Sequence, residues 1–110
     1  MRRREAEPVL LGSLEEQVTL AVIRTGADAY GMNVRRELEE VTGRDITIGS
    51  VYATLDRLEA KGFVTSARSS GADAPSRRIF EVTRQGLASL ALTRDTRERL
   101  WTGVRLPSRS

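Results

Sequence analysis

The sequence predicts one α+β domain: three helices, a two-stranded hairpin and a last helix. Three observations carry this. Apolar residues recur at helical spacing from Leu14 to Leu58, interrupted at Gly26 and Gly43. Two short runs rich in β-branched and aromatic residues follow, at 63–68 and 78–83, around a loop containing Gly71 and Pro75. A final helical stretch opens after Thr83. The chain has 110 residues, enough for one domain and not comfortably two. A domain of this size buries only about two-thirds of its chain surface, so a partner subunit would add useful burial.

Residues 1–12 read as a flexible basic arm. Arg2, Arg3 and Arg4 could touch phosphates, but a frayed, solvated terminus is the simpler reading. Ser13-Leu14-Glu15-Glu16 has capping-box spacing, with Ser13 as the cap and Glu16 reaching back. The helix it starts runs to about Arg24. Val18 and Leu20 to Ile23 make its second half apolar on nearly every side, as in a helix buried on more than one face. One such face could meet a second subunit. Gly26 to Ala29 is a turn. The second helix runs from Met32 to about Val41, with Val34, Leu38 and Val41 inward. Arg35/Glu39 and Arg36/Glu40 are spaced to pair outside. Gly43 ends it, and Arg44 to Ile46 form a short link with room for one or two strand residues.

The third helix, Thr47 to Lys61 closed by Gly62, is the centre of the reading. Ile48, Val51, Leu55 and Leu58 fall on one narrow face. Gly49, Ser50, Ala53, Arg57 and Ala60 fall opposite, with Tyr52 on the flank. Thr47 is the expected N-cap and Gly62 the expected stop. An ordinary solvated face would carry Lys, Glu and Gln. Small residues instead let a helix backbone approach another surface, where Ser, Tyr and Arg can reach phosphates and base edges. This is the pattern of a DNA-recognition helix. Tyr52 could alternatively pack on the core edge, Thr47 and Ser50 could serve only as caps, and Arg57 could pair with Asp56 or Glu59.

The two β runs then form a hairpin with a long tip, Ser69 to Arg77: the wing of a winged helix-turn-helix. Arg68, Arg77 and Arg78 against Asp73 make it basic, suited to a DNA backbone or minor groove. The alternative is a solubilising loop. Thr83 can cap a last helix from Arg84 to about Thr102. Leu87, Leu90 and Ala91 start it, but Thr93 to Arg99 are seven polar residues in a row before Leu100 and Trp101. Arg94, Asp95, Arg97, Glu98 and Arg99 read as a solvated face on which Asp95 and Arg99 could pair. Residues 103–110 read as a loose tail. The organisation is therefore an arm at 1–12, a winged helix-turn-helix at 13–83, a C-terminal dimerisation helix at 84–102 and a tail.

Bulk properties exclude several classes. Net charge is +3, with 17 Arg and one Lys against 15 acidic residues. The sequence pI is about 10.2, which suits a polyanion partner without proving one. There is no Cys and no His, so disulfides and thiolate or imidazole metal sites are excluded, and no cofactor or metal is expected. Acid–base catalysis would fall on scattered carboxylates, Tyr or Lys, and no phosphate-cradling glycine loop occurs, so an enzyme is not expected. No run approaches the roughly 20 apolar residues of a membrane span. No signal-peptide core follows Met1-Arg2-Arg3-Arg4, which makes the cytoplasm the default compartment.

Gly49-x-x-Tyr52-x-x-Leu55-x-x-Leu58-Glu59-x-x-Gly62-Phe63-Val64 resembles the recognition helix of the PadR family of bacterial transcriptional regulators. Pro75-x-Arg77-Arg78-x-Phe80-x-Val82-Thr83-x-x-Gly86 resembles that family's wing strand and the start of its last helix. Leu20 to Ile23 with Tyr30-Gly31 resembles its first helix and turn. The likeness spans about residues 10–101.

The resemblance implies a homodimer joined through the first and last helices, here Leu20, Ile23, Leu87, Leu90, Ala91, Arg94 and Trp101. It implies binding to a palindromic operator, usually as a repressor, with Tyr52 at the DNA backbone and Arg77 and Arg78 as basic wing contacts. A small-molecule effector, if one exists, would act by binding one dimer geometry better than the other. Three features depart from the family pattern. Ala53 stands where Pro is common, Phe80 stands where Tyr is usual, and the last helix ends soon after Trp101. Some compact members hold planar drugs between tryptophans of the last helices. Trp101 falls about one turn too late for that role, by count from Gly86, and is read as dimer or helix-end packing. The remaining alternative is a winged-helix module that binds protein rather than DNA.

Overall fold

The computed structural model describes residues 7–69 and 76–108. Its elements are α1 (Ser13–Thr25), a single 3-10 turn (Gly26–Asp28), α2 (Gly31–Thr42), α3 (Ile48–Ala60), β1 (Val64–Arg68), β2 (Arg78–Val82) and α4 (Arg84–Trp101). This is the winged helix-turn-helix expected from sequence. Residues 1–6, including the three arginines, and the wing tip at 70–75 lie outside the described residues.

Helices α1, α2 and α3 pack around a core in which Val18, Val34, Val51, Leu55 and Leu58 are fully sealed from solvent. Each such side chain contributes about 1.5–3 kcal/mol relative to exposure. β1 and β2 pair antiparallel, with Val64 opposite Val82, Ser66 opposite Phe80 and Arg68 opposite Arg78. Phe80 enters the same core. Its backbone N–H donates to the Ala29 carbonyl at 2.8 Å, so the hairpin's free edge is held by the turn after α1. The link at 44–46 carries no strand. Arg35 Nε donates to the Ile46 carbonyl at 2.9 Å, and the Ile46 N–H donates to Glu39 at 3.1 Å. Side chains of α2 thus satisfy backbone groups that a sheet would otherwise have taken.

α4 leaves the hairpin at a tight junction. Thr83 caps it, accepting the Gly86 N–H at 3.0 Å and donating to the Gly62 carbonyl at 2.7 Å. A Cβ on Gly86 would lie 2.1 Å from the Phe63 carbonyl oxygen, so only glycine allows this approach.

Four local expectations are corrected. The cap of α1 is Gly12, not Ser13: the Gly12 N–H donates to Glu15 Oε1 at 3.0 Å, while Glu16 binds Arg97 of α4 at 2.6 Å. With Glu16 held in a tertiary ion pair, only half of a capping box forms, from Glu15 to Gly12, which has no side chain to return the bond. Residues 9–12 are also not a loose arm. The Val9 N–H donates to Ser89 Oγ at 3.2 Å, the Leu11 N–H donates to Thr93 Oγ1 at 3.0 Å, and Leu11 is buried. This explains part of the polar break in α4: Ser89 and Thr93 face inward to satisfy that strand-like segment. Val41 is exposed rather than core: it sits at the rim of an open groove between α1 and α2. Arg99 bonds Thr96 at 3.3 Å, and Arg94 lies 3.9 Å from Glu98, so the α4 surface pairs differ from the expected Asp95–Arg99 pair.

Candidate nucleic-acid interface

α3 presents the two faces its spacing predicts. Thr47 is the cap, accepting the Ser50 N–H at 3.0 Å and donating to Ser50 Oγ at 2.9 Å. Val51, Leu55 and Leu58 point inward with Thr54, whose hydroxyl donates to the Ser50 carbonyl at 2.8 Å. Thr47, Gly49, Ser50, Ala53 and Arg57 are exposed. Arg57 reaches back to Thr54 Oγ1 at 3.3 Å and takes neither Asp56 nor Glu59. A row of small and hydroxyl-bearing residues therefore lies open to solvent along the helix.

Tyr52 is half-buried, with its ring tip at the first residue of α2. A Cβ on Gly31 would stand 2.4 Å from Tyr52 Cζ and 2.5 Å from its hydroxyl. Gly31 thus makes room for the tyrosine and sets where the hydroxyl emerges. In the sequence Tyr30-Gly31 reads only as the lead-in from the turn to the second helix, so this dependence was not legible there.

Tyr52 also lines a cleft of about 410 Å³ between α2 and the base of the hairpin, shared with Tyr30, Met32, Arg36, Arg68, Ser76, Arg77 and Arg78. The Arg77 guanidinium lies over the Tyr30 ring, 4.3 Å from its centroid, which holds a basic side chain at the cleft wall. Arg36 was missed from sequence because Glu40 stands four residues on. Its guanidinium instead bonds Asn33 at 3.2 Å and borders the cleft. A concave surface lined by arginines and tyrosine hydroxyls suits an anionic ligand such as a phosphodiester. Arg78, grouped from sequence with the DNA-contacting arginines, turns to α3: its guanidinium pairs with Asp56 at 3.1 Å and Glu59 at 2.8 Å.

The residues expected at a dimer contact separate into groups. Leu20, Leu90, Ala91 and Arg94 line one recess of about 270 Å³ between α1 and α4. Ile23 and Leu87 line a larger cavity of about 550 Å³ against the hairpin. Trp101 lines neither. Leu20, Ile23, Leu87 and Trp101 are each roughly half exposed, at 43–53%. Leu90 departs from the expectation: it is 9% exposed and packs in the subunit's own core, because α4 rests on α1 there.

Among the described residues no cluster of His, Cys, Asp and Glu could hold a metal, and no helix is long and apolar enough to cross a membrane.

Solved structures share this architecture. A PadR-like transcription factor from Bacteroides fragilis aligns with TM-score 0.69 at 21% identity, covering 79% of this chain and 82% of its own. A PadR-like transcriptional regulator from Bacillus cereus aligns with TM-score 0.68 at 19% identity, covering 81% and 84%. A PadR family transcriptional regulator from Eggerthella lenta aligns with TM-score 0.61 at 24% identity, covering 80% of each chain. No curated protein matches the chain significantly. The family model described as the transcriptional regulator PadR-like family matches residues 19–92, well over half the chain. The chain accordingly belongs to the PadR-like family of transcriptional regulators, which are not enzymes.

Proposed function

We propose that this regulator is a sequence-specific DNA-binding repressor that acts as a homodimer on a palindromic promoter operator in the cytoplasm. The observation that carries the reading is the solvent-open side of α3, where small residues, hydroxyls and Arg57 stand open and the one carboxylate, Asp56, is paired with Arg78, beside a cleft lined by arginines. Thr47, Gly49, Ser50, Ala53 and Arg57 approach base edges and phosphates in a major groove. Tyr52, Arg68 and Arg77 contact the flanking backbone, with Arg36 beside them. Two copies joined through α1 and α4 set two recognition helices about 34 Å apart, one turn of B-DNA. Occupying a promoter then blocks transcription. A small-molecule effector would release the dimer by favouring a geometry that mismatches this spacing.

The test is a salt series of binding to duplex DNA, first sheared genomic DNA and then sites recovered from it by selection. Each neutralised phosphate releases counterions, so log K should fall linearly with log salt at about −0.9 per contact. The recovered sites should be inverted repeats. Absence of binding at low salt, or affinity indifferent to salt, would overturn the reading in favour of a winged-helix module that holds a protein.

A further inference from the structure

Arg78 opens β2 directly across from Arg68. Like charges facing each other on an antiparallel pair repel, and α3 supplies the offset. Arg78 Nη1 donates to Asp56 Oδ1 at 3.1 Å, and Nη2 donates to Glu59 Oε1 at 2.8 Å. Ser66 of β1 joins the group, its hydroxyl 3.0 and 2.9 Å from the two Glu59 oxygens. The guanidinium also lies over the buried Phe80 ring, 4.8 Å from its centroid. Partial burial works against the charged form, but the bonds from Asp56 and Glu59 outweigh it and hold the Arg78 pKa above the usual arginine value. Both terminal nitrogens of the fork are thus engaged by carboxylates within the subunit although the side chain borders the cleft, whereas the adjacent Arg77 lies over Tyr30 there and pairs with no carboxylate among the described residues.

We propose that Arg78 is a positioning residue rather than a DNA contact: through Asp56 and Glu59 it locks the base of the wing onto the recognition helix, so that both meet the duplex as one rigid unit. The lock joins α3 to β2, which the chain separates by a turn, β1 and the wing tip, and it fixes where the neighbouring Arg77 stands relative to Tyr52. The role in binding rests on the DNA reading above; the lock itself does not.

The test compares Arg78→Gln, Arg78→Lys, Glu59→Gln and the Arg78→Gln/Glu59→Gln double variant. Affinity for duplex DNA is measured over a salt series, and amide exchange across β1 and β2 is measured without DNA. Under the lock, both single neutralisations weaken binding about 3–10-fold, and the double variant is little worse than either. The salt slope stays at its wild-type value, and hairpin amides exchange faster. Arg78→Lys fares like Arg78→Gln, because a lysine keeps the charge but not the fork. Four results would overturn the lock. One is a salt slope about 0.9 shallower in Arg78→Gln, with Glu59→Gln neutral or tighter, which would make Arg78 a phosphate ligand. Another is Arg78→Lys retaining full affinity. A third is a lowered melting temperature with affinity unchanged, and the fourth is unchanged hairpin exchange. A wild-type protein that binds no duplex removes the DNA reading alone and leaves the exchange data to decide the lock.

Discussion

The outer side of α3 and the far end of α4 both lie in solvent, and the two surfaces have opposite chemistry. The outer side of α3 carries glycine, alanine and hydroxyls with Asp56 and Arg57 among them, and its flank is organised by contacts inside the subunit: Thr47 on Ser50, and Tyr52 on Gly31. The far end of α4 carries Leu100 and Trp101, well exposed on one polypeptide turn, with Val104 and Leu106 beyond. Small polar surface is stable in water and ready for a hydrated, charged ligand. Large apolar surface in water is unfavourable by about 25 cal/mol per Å² and calls for cover. One subunit thus finishes its α3 side alone, while its α4 end leaves apolar surface uncovered within the subunit.

The largest effect is expected where α4 is anchored. Gly86→Ala drives a Cβ into the Phe63 backbone carbonyl and should cost about 1–3 kcal/mol in thermal or denaturant unfolding, as overpacking does. A neutral result would mean the junction is looser than its geometry. Next come the two residues that organise the α3 flank. Tyr52→Ala should weaken operator binding about tenfold, or about 1.4 kcal/mol, with the dimer still folded. Gly31→Ala should weaken binding in the same direction by displacing the ring it makes room for. If Gly31→Ala weakens binding in a Tyr52→Ala background as well, the glycine acts by another route.

A smaller effect belongs to the tie between α1 and α3. Lys61 donates to Glu15 at 2.7 Å. Burial alone would raise the Glu15 pKa, but the bonds from Lys61 and the Gly12 N–H overcome it and hold the carboxyl below its ordinary value. A depressed carboxyl stabilises the fold above its unfolded pKa, and that stability is lost as pH falls through the folded pKa. Glu15→Gln should therefore destabilise near neutrality by up to about 1 kcal/mol. It should also flatten the loss of melting temperature below the usual carboxylate range, and an unchanged acid limb would remove this assignment. The smallest effect on the subunit itself is expected at Trp101. Trp101→Ala should shift monomer stability by no more than about 0.5 kcal/mol, yet raise the dimer dissociation constant in sedimentation. If sedimentation is unaffected, the α4 end is not the dimer contact, and the contrast between the helices loses its second half.

Much of this was legible without coordinates because it is local. Helical spacing placed Val51, Leu55 and Leu58 inward and left Ser50 and Ala53 outside, since a 3.6-residue repeat needs no knowledge of neighbours. Thr47 and Thr83 were legible as caps because a cap hydroxyl answers donors within three residues. Gly43 and Gly62 were legible as stops, and both adopt the positive φ that a helix end favours. The same local logic failed where a distant group competed. Glu16 had the spacing of a capping residue but was taken by Arg97, and Arg36 had Glu40 in range but turned to Asn33 beside the cleft.

The sequence alone determined the order of elements, the two faces of α3 and the family. Each follows from short-range periodicity, turn chemistry and motif spacing, which survive in any context. Only the tertiary structure decided which of the cleft arginines grips α3 and which lies over Tyr30, that Leu90 belongs to the core, and that residues 9–12 lie on α4. Those outcomes depend on side chains brought together from positions up to about eighty residues apart. Ion pairs and packing are set by distance in space, and spacing along the chain carries no record of it.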